Sequence, residues 1–304
     1  MTTSRALPPE LRGRAFGVAE ADAAGVSRER LRRADLRLLF HGSRAPSKGE
    51  LTLLRRCLTY ASRMPQPQVF SHATAAGIHQ LRLPAHLQKH LMLHVSSVAP
   101  MRAPRVVGVV GHQLTPGAVR VVIHSGLRVV DAIDTWCQLA AVLSVRELVV
   151  IGDGLVCRKE PVATMDLLRQ RVAGWSRRRG YRRLEMALAL IRPGTDSATE
   201  TELRLDLVEA GLPEPHVNAA IRAADGRFLA LGDLVYPEYR VLTEYDGDHH
   251  RTADDQYFHD IDRHDDVMEA GWRSIRVNKS HRGDRRQLIV RKVRRALVER
   301  GWTP

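Results

Sequence analysis

Residues 227–247, RFLALGDLVYPEYRVLTEYDG, decide how this chain is read. Two strand-forming runs, Arg227–Pro237 and Tyr239–Gly247, flank the turn residues Pro237-Glu238 and predict an antiparallel pair. Side chains alternate along a strand, so Leu242, Glu244 and Asp246 share one face of the second run. Val241, Thr243 and Tyr245 share the other. Asp233, near the middle of the first run, comes within reach of Glu244 across the hairpin. Ionised carboxylates on a sheet are costly unless a cation pairs with them. Three that converge suit a hard divalent ion with oxygen ligands, Mg²⁺ or Mn²⁺. Such an ion polarises a phosphodiester and lowers the pKa of an attacking water. A surface hairpin with solvent-facing acids is the other reading of the same spacing.

Working outward, Ser197 precedes Glu200 by three residues, a capping box opening a helix whose apolar face is Leu203, Leu207 and Val208. The breaker-rich stretch 192–197, RPGTDS, puts a domain junction near residue 193. Seven arginines between Arg169 and Arg183 have no acid among them, whereas nine carboxylates lie between Glu244 and Asp266. Over all 304 residues, 47 Lys+Arg against 34 Asp+Glu leave a formal charge of +13, which points to a polyanion, most often nucleic acid. A GC-rich genome is the other source of excess arginine. Cys57, Cys137 and Cys157 show no CxxC spacing, which argues against a disulfide framework or a thiolate zinc site. With neither a signal-like N-terminus nor a membrane-length apolar run, the expectation is a soluble cytoplasmic protein.

Residues 14–39 divide into two helical patterns, Ala15–Ala24 and one capped by Ser27, separated by Gly25-Val26. Arg28, Arg30, Arg32 and Arg33 project from the second, the layout of a DNA-reading helix-turn-helix. An ordinary helical hairpin has the same spacing. The segment AAGVSRERLRR, 23–33, followed by 39–44, LFHGSR, resembles the winged helix of AbiEi-type antitoxins, with Ser43-Arg44 in place of the usual Val-Tyr. The blocks 71–84, SHATAAGIHQLRLP, and 129–156 resemble later parts of that family. Between them, the runs LMLHVSSV, RVVGVVGH and VRVVIH read as strands. Their histidines, His90, His94, His112 and His124, have no carboxylate or cysteine at metal-ligand spacing and read as half-buried structural residues. Asp131 and Asp134 are placed on a helix near Trp136, and Asp153-Gly154 in a turn.

The C-terminal blocks are Ser197/Glu200/Thr201/Leu203/Arg204, Gly211–Pro215, Asp233-Leu234, Glu244-Tyr245-Asp246-Gly247-Asp248-His249-His250, and Arg263 through Arg276. In this order they resemble the very-short-patch-repair-like branch of the PD-(D/E)xK nuclease superfamily. The resemblance implies a restriction-endonuclease-like mixed sheet flanked by helices. It implies Asp233 and Glu244 as metal ligands and Glu200 as the acid orienting a metal-bound water. Asp246 stands where the wider superfamily keeps a lysine and becomes a further ligand. His250 becomes a general base or phosphate donor, with its pKa near working pH; His249 and Lys279 are weaker candidates. Arg263, on a helix expected over 257–270, would contact a phosphate or pair with a site carboxylate, and Trp272 would pack in the core.

The expected organisation is therefore α+β: a winged helix over 1–50, a small α/β region with a linker over 51–192, and a nuclease domain over 193–304. Two functions fit: a Mg²⁺- or Mn²⁺-dependent DNA endonuclease, or a non-catalytic DNA-binding regulator or antitoxin-type protein on a degenerate nuclease fold. RNA as substrate, a homodimer, and a repair or toxin–antitoxin partner stay open.

Overall fold

A computed structural model of the chain describes residues 6–88, 92–246, 264–278, 281 and 285–304. The protein is mixed α+β with three β-sheets. It divides into two compact units, Met1–Leu143 with Trp175–Tyr181, and Ser144–Gly174 with Arg182–Pro304. Among the described residues, no helix is long and apolar enough to cross a membrane.

The first unit begins with β1 (Phe16–Gly17), α1 (Val18–Ala23), β2 (Leu36–Arg37) and β3 (Ser43–Pro46), an antiparallel sheet in the order β1-β3-β2. Leu11, Phe16, Ala21, Val26, Leu31 and Leu36 fill its core. Gly25, at φ +71, lets the chain turn after α1. The expected second helix is a single 3-10 turn, Arg30–Arg32, and Arg33 is already extended. Ser27 Oγ accepts from the Arg30 N–H at 3.2 Å, but the residue at the cap position of this turn is Glu29, whose side chain makes no capping hydrogen bond. β2 begins four residues after Arg32, which leaves no room for a longer helix.

The same unit continues with α2 (Leu53–Ala61), β4 (Gln68–Phe70), α3 (His72–Ile78), α4 (Ala85–Gln88), β5 (Leu93–Val98), β6 (Val109–Leu114), β7 (Val121–His124), β8 (Leu127–Val130) and α5 (Ala132–Leu139). The five strands run in the order β6-β5-β4-β8-β7. Pairs β5/β6 and β4/β8 are parallel, while β4/β5 and β7/β8 are antiparallel. Ser125 and Gly126, both with positive φ, form the two-residue turn between β7 and β8 that matches strand twist. Asp131 caps α5 through the Ile133 and Asp134 amides, and Trp136 is fully buried.

The second unit contains α6 (Val145–Leu155), α7 (Met165–Gly174), α8 (Tyr181–Leu190), α9 (Ala198–Glu209), β9 (His216–Arg222), β10 (Phe228–Tyr236), β11 (Val241–Asp246), β12 (Arg273–Asn278) and α10 (Arg286–Glu299). Its sheet is mixed, in the order β12-β11-β10-β9, with β12 parallel to β11 and the other pairs antiparallel. Leu203 and Leu207 of α9, with Ile289 and Val293 of α10, pack with Leu234, Val241 and Ile275 of the sheet. A second cluster joins Val235 and Leu242 to Val267 and Trp272, whose indole N–H donates to the Arg222 carbonyl at 2.9 Å. Trp272 is thus the core residue its sequence position suggested.

Asp153 is not in a turn. It lies within α6, wholly buried, because the helix runs through Gly152 and Gly154 with apolar residues around them. Its Oδ2 accepts from the Arg204 guanidinium at 3.0 Å and the Thr201 hydroxyl at 2.9 Å, and its Oδ1 from the Arg192 amide at 2.8 Å. Arg204, 1% exposed, also donates to Glu214 and to the Leu190 carbonyl. Burial pushes the Asp153 carboxyl up and Arg204 works against it. Removing one partner strands the other charge, so Arg204→Met should cost about 3–5 kcal/mol in denaturant unfolding. Adding Asp153→Leu should recover part of that loss. A loss below about 1 kcal/mol would show that the pair does not anchor α9.

Candidate functional site

The hairpin decides the site. β10 and β11 pair Val235 with Leu242 and Leu234 with Thr243, and one step further the register sets Asp233 opposite Glu244. The paired ladder itself ends at Leu234–Thr243, and the Tyr245 amide donates to Asp233 Oδ2 at 2.6 Å. Burial raises the Asp233 carboxyl to about 6. The Tyr245 amide opposes the shift, and the charges of Glu200, Glu244 and Asp196 add to it. Glu244 Oε2 accepts from the Ser274 hydroxyl at 3.1 Å, and the parallel register places Arg276 beside Glu244.

Glu200, only 6% exposed, stands on the first turn of α9, where Ser197 Oγ accepts from its amide at 3.1 Å. The reciprocal half of the capping box is shifted by one residue. Glu200 Oε2 accepts from the Asp196 amide at 2.9 Å rather than from Ser197, and also from Asn218 Nδ2 at 2.9 Å. Asn218, at φ +44 on β9, further donates to the Gly194 carbonyl at 2.8 Å. The β9–β10 register puts Asn218 opposite Asp233. Asp196 pairs with Arg158, and its Oδ1 is buried with no hydrogen-bond partner among the described residues.

Asp233, Glu244 and Glu200 are therefore brought into one electrostatic neighbourhood. Asp196 and Asn218 join them unforeseen, because Asp196 reads as a linker residue and Asn218 belongs to a strand hidden behind Pro213 and Pro215. Asp246 ends β11 in register with Asn278. The Asp246 side chain, together with His249, His250, Arg263 and Lys279, lies outside the described residues. Arg28, Arg30, Arg32 and Arg33 sit in the first unit. Three of them are paired locally: Arg28 with Asp22 at 2.8 Å, Arg30 with Asp35 at 2.7 Å, and Arg33 with Glu29 at 3.3 Å.

A second cluster of ligand-type groups lies in the first unit. Among the described residues, His72, His94 and His112 are the set whose donor nitrogens all lie within 4.8 Å of one another. Burial and the two neighbouring rings hold His72 far below the ordinary histidine range, at about 3, and burial also lowers His112. By sequence spacing, His94 and His112 read singly as structural strand histidines, and His72 falls in the block 71–84. What joins them is the parallel pairing of β5 with β6, which sequence spacing does not display. Comparison with family models, curated proteins and solved structures found no match to the chain.

The Asp233 carboxyl keeps its proton to higher pH in the fold than in the unfolded chain. Its contribution to stability is complete below about pH 4 and is lost as pH rises through about 6. Asp233→Asn should therefore be more stable than the wild type at about pH 8, by on the order of 2 kcal/mol, with the gap closing toward about pH 4. Thermal melts across that range check it, and a gap independent of pH would refute the assignment.

Proposed function

We propose that the second unit is a divalent-metal-dependent endonuclease domain that hydrolyses DNA phosphodiesters. The observation that carries this reading is Asp233, next beyond the β10–β11 ladder, within the charge field of Glu244 and of the buried, tethered Glu200, inside a chain of net charge +13. Asp233 and Glu244, with Asp246 two residues along the same strand, would hold Mg²⁺ or Mn²⁺. The donor set is of the kind a hard cation takes: its atoms are carboxylate oxygens, burial and then the neighbouring acids push Asp233 toward protonation, and a buried Asp196 oxygen has no hydrogen-bond partner among the described residues. When bound, the ion polarises the phosphodiester and lowers the pKa of water.

The remaining steps fall to the chain. Asn218 and the Asp196 amide fix one oxygen of Glu200, leaving its carboxylate to orient the attacking water. Arg276, in register with Glu244 and exposed, supplies the cation that the wider superfamily takes from the lysine replaced here by Asp246. His250 serves as general base or phosphate donor, and Arg263 contacts a phosphate. The N-terminal module is read as a winged-helix-type docking element whose arginines meet the DNA backbone, exchanging local carboxylate partners for phosphates. The replacement of the lysine by Asp246 favours one second reading, a DNA-binding regulator without turnover.

The test is cleavage of plasmid and of mismatched duplexes with Mg²⁺ or Mn²⁺. Wild type should cut, and Asp233→Asn and Glu244→Gln should each lower the rate at least about 100-fold. Arg276→Ala should lower the rate with little change in metal requirement. Salt-sensitive DNA binding without cleavage by the wild type would establish the regulator reading instead. Equal cutting by all variants would place the site elsewhere.

A further inference from the structure

The imidazole cluster of the first unit is built from three elements. β5 and β6 are parallel with His94 opposite Val110 and Ser96 opposite His112, so His94 and His112 project from one face, two residues apart. Their ring nitrogens, His94 Nδ1 and His112 Nε2, are 3.0 Å apart. A tetrahedral ion with metal–nitrogen bonds of about 2.0–2.1 Å needs ligand nitrogens roughly 3.3 Å apart. These two rings stand within a few tenths of an ångström of that spacing. His72, the first residue of α3, stacks on His112 with ring centroids 3.8 Å apart, and its donor nitrogen is within 4.8 Å of the other two. Convergence on one ion requires the His72 ring to tilt out of the stack and the His94–His112 hydrogen bond to open, with loss of its proton.

The support behind His72 has the form expected around a metal-bound imidazole. Its Nδ1 is 3.0 Å from Ser71 Oγ, which accepts from the Ser96 hydroxyl at 2.7 Å, and both serines are fully buried. In the tautomer whose Nδ1–H donates to Ser71, Nε2 keeps the lone pair for an ion. The His72 backbone sits at φ +49, outside the region favoured by a residue with a side chain, and its amide is held by Gln138 Oε1 at 3.0 Å. Such a conformation persists where surrounding contacts impose it, commonly at ligand clamps. All three histidines are half-buried, which leaves an approach from solvent.

We propose that His72, His94 and His112 form a binding site for one divalent transition-metal ion of the zinc class, held by three imidazole nitrogens with the fourth position open to water. Nitrogen donors of this kind suit Zn²⁺, Co²⁺ or Ni²⁺ and do not suit Mg²⁺. The site is thus chemically distinct from the carboxylates of the second unit. Because its ligands come from α3, β5 and β6, the ion would cross-link the edge of the five-stranded sheet to the helix that precedes it.

Metal-stripped full-length protein titrated with Zn²⁺, and with Co²⁺ read by visible absorption, tests this. Expected are one Zn²⁺ per chain, the intense bands of four-coordinate cobalt, and a higher melting temperature with metal. His94→Gln and His112→Gln should each weaken Zn²⁺ binding by more than about 100-fold and abolish the cobalt bands. Ser71→Ala, which leaves all three ligands in place, should weaken binding about 10-fold. Asp233→Asn with Glu244→Gln should leave Zn²⁺ stoichiometry unchanged, which separates this site from the proposed nuclease centre. The absence of stoichiometric Zn²⁺ binding by the wild type would overturn the proposal. So would unchanged binding in folded His94→Gln and His112→Gln proteins, verified by circular dichroism. If either Gln variant fails to fold, the Ser71→Ala result decides, and unchanged affinity there counts against the site.

Discussion

The second unit is organised around a guanidinium with no access to water. Arg204 is committed to Asp153, Glu214 and the Leu190 carbonyl, and the cost of desolvating it is offset only while those acceptors stay in place. Through Asp153 it ties α9 to α6, and through Glu214 it ties α9 to the segment leading into β9. Glu200 stands one turn before Arg204 on the same helix. The orientation of α9, and with it the presentation of Glu200 toward the sheet, follows from satisfying one buried charge.

The opposite arrangement prevails at the hairpin. There the sheet register brings carboxylates toward one another with a single amide, that of Tyr245, directed at Asp233. Burial, with like charges nearby adding to it, raises proton affinity, which is why Asp233 departs so far from ordinary aspartate behaviour. Two other acids of this unit have cationic partners: Asp153 has Arg204, and Asp206 has Arg146 and Arg286. The contrast between compensated and uncompensated acids within one unit separates its scaffold from its candidate chemistry.

The two clusters also divide by donor chemistry. Carboxylate oxygens of the second unit suit a small hard ion, whereas imidazole nitrogens of the first suit a softer one. A chain carrying both would use each ion in a different capacity, one at the strand ends where a phosphodiester would be cut, the other between a helix start and two strands.

Much of the second unit was legible in the sequence because its signals are local. Alternation placed Glu244 on the strand face of Leu242, Pro237-Glu238 marked the connection, and Ser197 with Glu200 marked the start of α9. Strand period and capping chemistry act over a few residues, so sequence alone could determine them. Local signals misled where neighbours override them: Asp153-Gly154 carries turn residues yet lies in a helix buried by its apolar flanks, and Ser27 precedes only one 3-10 turn. Asn218 opposite Asp233, and His72 with His94 and His112, were decided by tertiary structure alone. Each depends on which strands pair and in what register. That choice is settled by burying apolar faces across distant segments, and no spacing along the chain records it.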